Sequence, residues 1–124
     1  MFNLLLVGAG GFLGAIARYS VMVSFERLGH HSFLWSILAV NVTGAALIGF
    51  LAGVNESRES FSNEARLFLF VGLLGGFTTF SAITNDTLTL LRNSAFWEAA
   101  ANIGLSVSLG LAACAIGYVV GRNT

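Results

Sequence analysis

The side chains with the clearest chemical potential are neutral polar groups set inside apolar sequence. They are Asn41, Thr79, Ser81, Asn102 and Ser106. Each carries an amide or a hydroxyl that can donate a hydrogen bond without bearing charge. A row of such donors can hold a small anion and release it again, whereas a charged partner would bind the ion too tightly for rapid passage. The alternative is that these side chains join membrane helices, at about 1 kcal/mol per bond.

The run from Gly72 to Ser81, GLLGGFTTFS, is a second unusual feature. Adjacent glycines and adjacent β-branched threonines disfavour continuous helix in the middle of an apolar segment. We therefore expect an unwound segment from Gly75 to Thr79. Its carbonyls would suit a hard monovalent cation, and the amino end of the next helix would attract an anion. Alternatively, the glycines form a packing face and the threonine hydroxyls bond back to their own helix.

Phe80 and Ile83 are three residues apart and therefore share one face of the helix that follows this run. The edge of a phenyl ring is electropositive and can contact an anion that is losing its water. A phenylalanine in a membrane helix usually only packs. Phe80 is a candidate for contact with an anion because the hydroxyl residues Thr79 and Ser81 lie beside it.

These residues must be positioned by helices that cross a membrane. The chain has 124 residues, 56% of them hydrophobic and 10% charged, with no proline and a mean hydropathy of +0.81. Charge-free runs cover residues 1–17, 28–55, 67–85 and 99–121. Each is near or above the roughly 20 residues that span a bilayer. We expect four transmembrane helices in a single domain, residues 1–124, with the break in the third.

The composition also excludes several classes of protein. A soluble domain is about a quarter charged, and Cys114 alone cannot form the disulfide framework of a small secreted protein. The net charge of 0 and the absence of lysine leave no basic face for nucleic acid. The first apolar run lacks the basic start and the uninterrupted core of a signal peptide, so we expect it to remain as a helix.

Fifteen glycines in a helical membrane protein indicate close helix packing, because glycine costs about 1 kcal/mol relative to alanine inside a helix. Four pairs have the required spacing of four residues: Gly10 and Gly14, Gly49 and Gly53, Gly72 and Gly76, and Gly117 and Gly121. Four helices packed this closely leave no room for an aqueous lumen within one chain. A solute path would therefore use an interface between subunits.

The arginines, which decide the orientation of a membrane protein, are almost evenly divided. One side of the predicted membrane collects Arg58, Arg66 and Arg122, and the other collects Arg27, Arg92 and, if it reaches outward, Arg18. This balance favours insertion in both orientations and pairing of two opposed copies. The alternative is a single orientation set by another cue.

Three motifs resemble, in this order, the CrcB/Fluc family of small bacterial fluoride channels. They are GGFLGAIARY from Gly10 to Tyr19, VNVTG from Val40 to Gly44, and GLLGGFTTFS from Gly72 to Ser81. The resemblance covers essentially the whole chain. It implies an all-α membrane protein with four transmembrane helices and a break in helix three, assembled as an antiparallel dual-topology homodimer. The implied activity is passive fluoride export across the bacterial inner membrane, with no enzymatic step.

The resemblance also implies roles for particular residues. Backbone carbonyls of Gly75 and Thr78 would hold a structural Na⁺ at the dimer interface, and Arg18 would be structural near a helix end. The fluoride path would be lined by Asn41, Thr79, Phe80, Ser81, Ile83 and Ser106. Family members usually carry a second phenylalanine at the place of Ile83. One electropositive edge is therefore missing from each subunit, which puts the conduction rate in question.

The main alternative function is a proton-coupled drug exporter of the small multidrug resistance type, which also has four helices. That mechanism requires a carboxylate embedded in the membrane. The first helix has none, and we expect Asp86, the acid nearest to a span interior, to face a loop. A non-conducting assembly subunit is a third possibility, but it leaves the break and the neutral donors unexplained.

Overall fold

Four helical spans make up the described part of the chain. The structure is a computed structural model that describes residues 1–29 and 33–124. The spans long and apolar enough to cross a membrane are Phe2–Arg27, Leu34–Arg58, Asn63–Arg92 and Phe96–Arg122. The four predicted transmembrane helices are thus confirmed. His30 and His31, which the sequence places in the first connection, lie outside the described residues.

The first, second and fourth spans are single helices, whereas the third is built from several pieces. We number the α-helices α1 (Phe2–Arg27), α2 (Phe33–Arg58), α3 (Asn63–Arg66), α4 (Gly75–Phe77), α5 (Phe80–Arg92) and α6 (Phe96–Arg122). A π-helical segment, Leu67–Leu74, joins α3 to α4. The third span therefore runs from α3 through the π-helical segment and α4 to α5.

The helices pack as two pairs whose contact faces are lined by glycine. In one pair α1 lies against the π-helical segment and α4, and a Cβ atom added at Gly76 would lie 2.6 Å from the carbonyl oxygen of Gly11. In the other pair α2 lies against α6, and a Cβ atom added at Gly49 would overlap the carbonyl of Cys114. Larger side chains would force these backbones apart. All four predicted glycine pairs are confirmed as packing positions.

The third span is interrupted by two residues in extended conformation. Thr78 has φ −87° and ψ 158°, and Thr79 has φ −153° and ψ 122°. The predicted unwound segment, Gly75 to Thr79, was therefore too long. Gly75–Phe77 stays helical, and the Thr78 N–H still donates to the carbonyl of Leu74 at 3.0 Å. Only Thr78 and Thr79 leave the helix.

The buried apolar core of the described residues is small. It consists of Ile37, Val40, Leu74 and Ala99. Many large apolar side chains are exposed, among them Phe12, Val71 and Leu111. Lipid solvates such surfaces well, and helix contacts in membranes rely on small residues instead. The single chain is held together mainly by its two glycine interfaces.

Candidate functional site

The Asn41 side chain of α2 forms hydrogen bonds with the backbone at the break in the third span. Its Oδ1 atom accepts a hydrogen bond from the Thr79 N–H at 2.8 Å, and its Nδ2 donates to the Thr79 carbonyl at 3.0 Å. One side chain thus satisfies both main-chain groups of an extended residue. Backbone groups freed at membrane depth must find partners within the protein. The predicted anion donor therefore has a structural task at the break.

Helix α5 begins at the break with a side-chain cap. The Thr79 hydroxyl oxygen accepts from the Ala82 N–H at 3.3 Å and lies 3.1 Å from the Ser81 hydroxyl oxygen. Threonine is among the residues favoured at the first cap position of a helix. The two hydroxyls therefore lie at the end of α5 that carries partial positive charge.

Several backbone carbonyls lose their usual helical donors at the break, among them those of Gly75 and Thr78. In a continuous helix the Thr79 N–H would bond to the carbonyl of Gly75, and the Ala82 N–H to that of Thr78. Here these donors go to Asn41 and to the Thr79 hydroxyl. Backbone carbonyl oxygens are among the ligands that hard cations bind in proteins.

Both sequence interpretations of this region hold in part. The Thr78 hydroxyl bonds back to the carbonyl of Leu74 at 2.9 Å, and Gly72 and Gly76 pack against α1, as the packing alternative requires. The break forms nonetheless, because Thr79 finds its partners on α2 rather than in its own helix.

A cavity of about 470 Å³ gathers most of the predicted pathway residues. It lies between α2, the broken third span and α6. Five of the six predicted residues line it: Asn41, Thr79, Phe80, Ile83 and Ser106. The walls also include Gly75 and Thr78, two of the residues whose carbonyls lose their helical donors. The structure thus brings the predicted anion residues and the predicted cation residues to one cavity.

A second cavity, of about 430 Å³, follows the contact between α5 and α6. It shares Phe80, Ile83 and Ser106 with the first cavity, so the two lie side by side. The Ser106 hydroxyl oxygen is buried and has no hydrogen-bond partner among the described residues. This hydroxyl at the junction therefore has hydrogen-bonding capacity that no described residue uses.

Ser81 and Arg18 lie outside these two cavities. Ser81 is exposed and reaches the site only through its contact with the Thr79 hydroxyl. Arg18 lines a separate cavity of about 280 Å³, together with residues that include Ile37, Thr79 and Ala82. Thr79 lines both this cavity and the cavity of about 470 Å³. The expectation that Arg18 lies near a helix end was wrong, because α1 continues for nine residues beyond it, to Arg27. The sequence also gave no sign that a cavity connects Arg18 with Thr79.

Thr87 is a polar residue that the sequence analysis missed. Its hydroxyl donates to the Ile83 carbonyl at 2.7 Å and accepts from Asn102 Nδ2 at 2.9 Å. Asn102 also donates to the Ile83 carbonyl at 3.3 Å. These bonds join α5 to α6 beside the second cavity, which Thr87 lines. The signal in the sequence was a hydroxyl four residues after Ile83, within the same helix.

The expectation that Asp86 faces a loop was wrong. Helix α5 continues for six residues beyond it, to Arg92, and the Asp86 side chain is only 8% exposed. Its Oδ2 atom is buried without a hydrogen-bond partner among the described residues. Asp86 is thus embedded between helices rather than solvated at the end of the span.

Comparison with known proteins identifies what this arrangement resembles. Residues 5–118 match the profile of the family described as "CrcB-like protein, Camphor Resistance (CrcB)". A protein of Agrobacterium fabrum named fluoride-specific ion channel FluC is 42% identical over 123 residues, which cover 99% of this chain and 98% of that protein. Proteins of the same name from Parabacteroides distasonis and Rhizobium meliloti are 41% and 43% identical, covering 99% and 98% of this chain and 95% and 98% of those proteins.

Proposed function

Because this chain belongs to the CrcB-like family, we propose that it is a fluoride-selective channel of the bacterial inner membrane that lets fluoride leave the cytoplasm passively. The observation that carries this proposal is the cavity at the break, where five residues predicted for an anion path meet. The relatives named fluoride-specific ion channels match over almost their whole length. Resistance of the cell to fluoride would follow from this export.

Fluoride must exchange its water for protein donors as it passes. The buried Ser106 hydroxyl and the hydroxyls of Thr79 and Ser81 offer such donors without a countercharge that would trap the ion. Phe80 is 78% exposed on the single chain and presents its ring at the same cavity. Passage therefore requires neither a catalytic step nor nucleotide.

The proton-coupled exporter remains unsupported. Helix α1 carries no acidic side chain before Glu26, at its last turn. Such an exporter depends on an embedded carboxylate, and the embedded carboxyl of the described residues, Asp86, lies on the third span instead. The similar proteins carry the name of an ion channel instead.

The channel would be an antiparallel dual-topology homodimer. Support comes from the near balance of arginines between the two sides. A second support is the exposure of Phe80 beside a cavity that is open on one side of the single chain. A second copy in the opposite orientation would cover this ring and complete the wall of the cavity.

The break would also hold Na⁺ at the interface between the two copies. The carbonyls of Gly75 and Thr78 have lost their helical donors and lie at the same cavity. Uncharged oxygens suit a hard monovalent cation. The ion would supply positive charge that fixes the two broken spans against each other.

The test is fluoride efflux from liposomes that contain the purified protein. Liposomes loaded with potassium fluoride should release fluoride only when valinomycin lets potassium follow, because the channel moves charge. Chloride-loaded liposomes and protein-free liposomes are the controls and should release little. Release that depends on a proton gradient or on nucleotide would refute the proposal.

A further inference from the structure

Asp86 is a buried carboxyl that the proposed ion path does not use. It is 8% exposed, lies in a membrane span, and its Oδ2 atom has no hydrogen-bond partner among the described residues. Acidic side chains within spans are rare and usually paired, because an isolated charge in lipid is costly. The same carboxyl in its protonated form carries no charge and can donate a hydrogen bond.

The ionisable groups near Asp86 do not neutralise it. On α6, which packs along α5, the acidic side chain is Glu98, and α2 carries no ionisable side chain before Glu56. Helix α1 brings Arg18 and Tyr19 to the cavity lined by Thr79 and Ala82, on the helix that carries Asp86. Among the described residues none of these groups forms an ion pair with Asp86. On α5 itself, Arg92 lies six residues further along.

Asp86 lies close to the cavities that would conduct the anion. It follows Ile83, which lines both, by three residues and directly precedes Thr87, which lines the second. Three residues of helix advance about 4.5 Å. A negative charge here would therefore act on an anion in either cavity through a medium that screens poorly.

We propose that Asp86 is the proton-binding residue that sets the rate of fluoride passage: the channel conducts fully when the Asp86 carboxyl is protonated and slows when it loses the proton. This proposal rests on the proposed fluoride function. A unit charge roughly 10 Å from the ion, at an effective dielectric constant of about 20, lowers the local anion population on the order of tenfold. Fluoride enters cells most readily from acid surroundings, as its neutral acid, so the channel would be fastest when entry is fastest.

The experiment compares efflux from liposomes at equal protein density from about pH 5 to about pH 8. Protein-free liposomes at each pH give the leak of neutral hydrogen fluoride, which is subtracted. The parent chain should slow on the order of tenfold as pH rises. Asp86→Asn keeps the size and removes the charge, so it should run at the low-pH rate of the parent throughout. Glu98→Gln, an exposed acid on α6, is the matched control and should keep the parent profile.

Three results would overturn the proposal. The first is an efflux rate of the parent chain that does not change with pH. The second is an efflux rate of Asp86→Asn that changes with pH as the parent's does. The third is a pH-independent Asp86→Asn whose efflux equals the slow, high-pH rate of the parent. If Asp86→Asn does not fold, Asp86→Glu retains the titrating group and should shift the profile along the pH axis, whereas an unshifted profile would also exclude Asp86.

An infrared measurement separates this proposal from the proposed function. The carbonyl stretch of the protonated Asp86 carboxyl should appear in the difference spectrum of the parent protein minus Asp86→Asn at low pH and fade as pH rises, because subtraction removes the bands of the other five acidic side chains. Absence of fluoride efflux from the parent at every pH would refute the channel, while the infrared band would still report on Asp86. Absence of the band at low pH would refute the proton site.

Discussion

Replacement of Asn41 by alanine should loosen the break in the third span. The change removes the partners of the Thr79 N–H and carbonyl, which bond to the amide at 2.8 and 3.0 Å. Each buried polar group left without a partner costs about 1–3 kcal/mol, so the two together cost about 2–6 kcal/mol. Hydrogen bonds between membrane helices average nearer 0.6 kcal/mol, because the alternative state also finds partners. We therefore expect the lower half of that range, with a folded but less stable protein.

The assay combines thermal unfolding in detergent, followed by tryptophan fluorescence, with fluoride efflux from liposomes. Asn41→Ala should unfold at lower temperature and conduct less fluoride than the parent chain. Thr43→Ala is the matched control, since Thr43 is an exposed neighbour on the same helix.

The two measurements distinguish two roles of Asn41: stabilising the break, or only donating a hydrogen bond to the ion. If Asn41→Ala unfolds at the same temperature as Thr43→Ala while its efflux falls, the amide acts on the ion alone. The argument that it holds the break would then be refuted. If both stability and efflux equal those of the control, Asn41 has neither role.

Further predictions concern the ring positions, the glycine interfaces and the orientation. Ile83 lines both cavities, so Ile83→Phe should raise fluoride throughput with selectivity over chloride retained, and Phe80→Ile should lower it; equal single-channel currents for the parent and Ile83→Phe would exclude any aromatic contribution. Gly49→Ala should lower the unfolding temperature by separating α2 from α6 at a cost of about 1–3 kcal/mol, whereas Gly104→Ala, which faces open space, should not. Reporter fusions after Thr124 should be found on both sides of the membrane, and one-sided labelling would contradict dual topology.

The spans were predictable because charge in lipid is costly, so charge-free runs mark where helices cross. The glycine pairs were predictable for a related reason, since only small residues let two backbones approach closely. Gly49 and Gly76 illustrate this, because a single added carbon at either would collide with the facing helix. The charge-free runs and the glycine pairs can both be recognised from residues close together in the sequence.

The details of the third span were not predictable, because they depend on distant partners. The exact limits of the break are set by Asn41, 38 residues earlier in the chain than Thr79. The π-helical segment Leu67–Leu74 was missed because its apolar composition fits an α-helix equally well. The burial of Asp86 was missed for a similar reason, since it results from packing between helices and not from position along the span.

The bond between Asn41 and Thr79 also has a consequence for how the chain is made. Proteins are synthesised from the amino end, so α2 is already in the membrane when the third span leaves the ribosome. The amide that bonds to the broken segment in the folded chain is therefore already in the membrane when that segment enters lipid. If the order of these two spans were exchanged, the backbone groups of the extended residues would stay unpaired at membrane depth until α2 was inserted. The order of the helices along the gene thus supplies a partner for the interrupted span during its insertion.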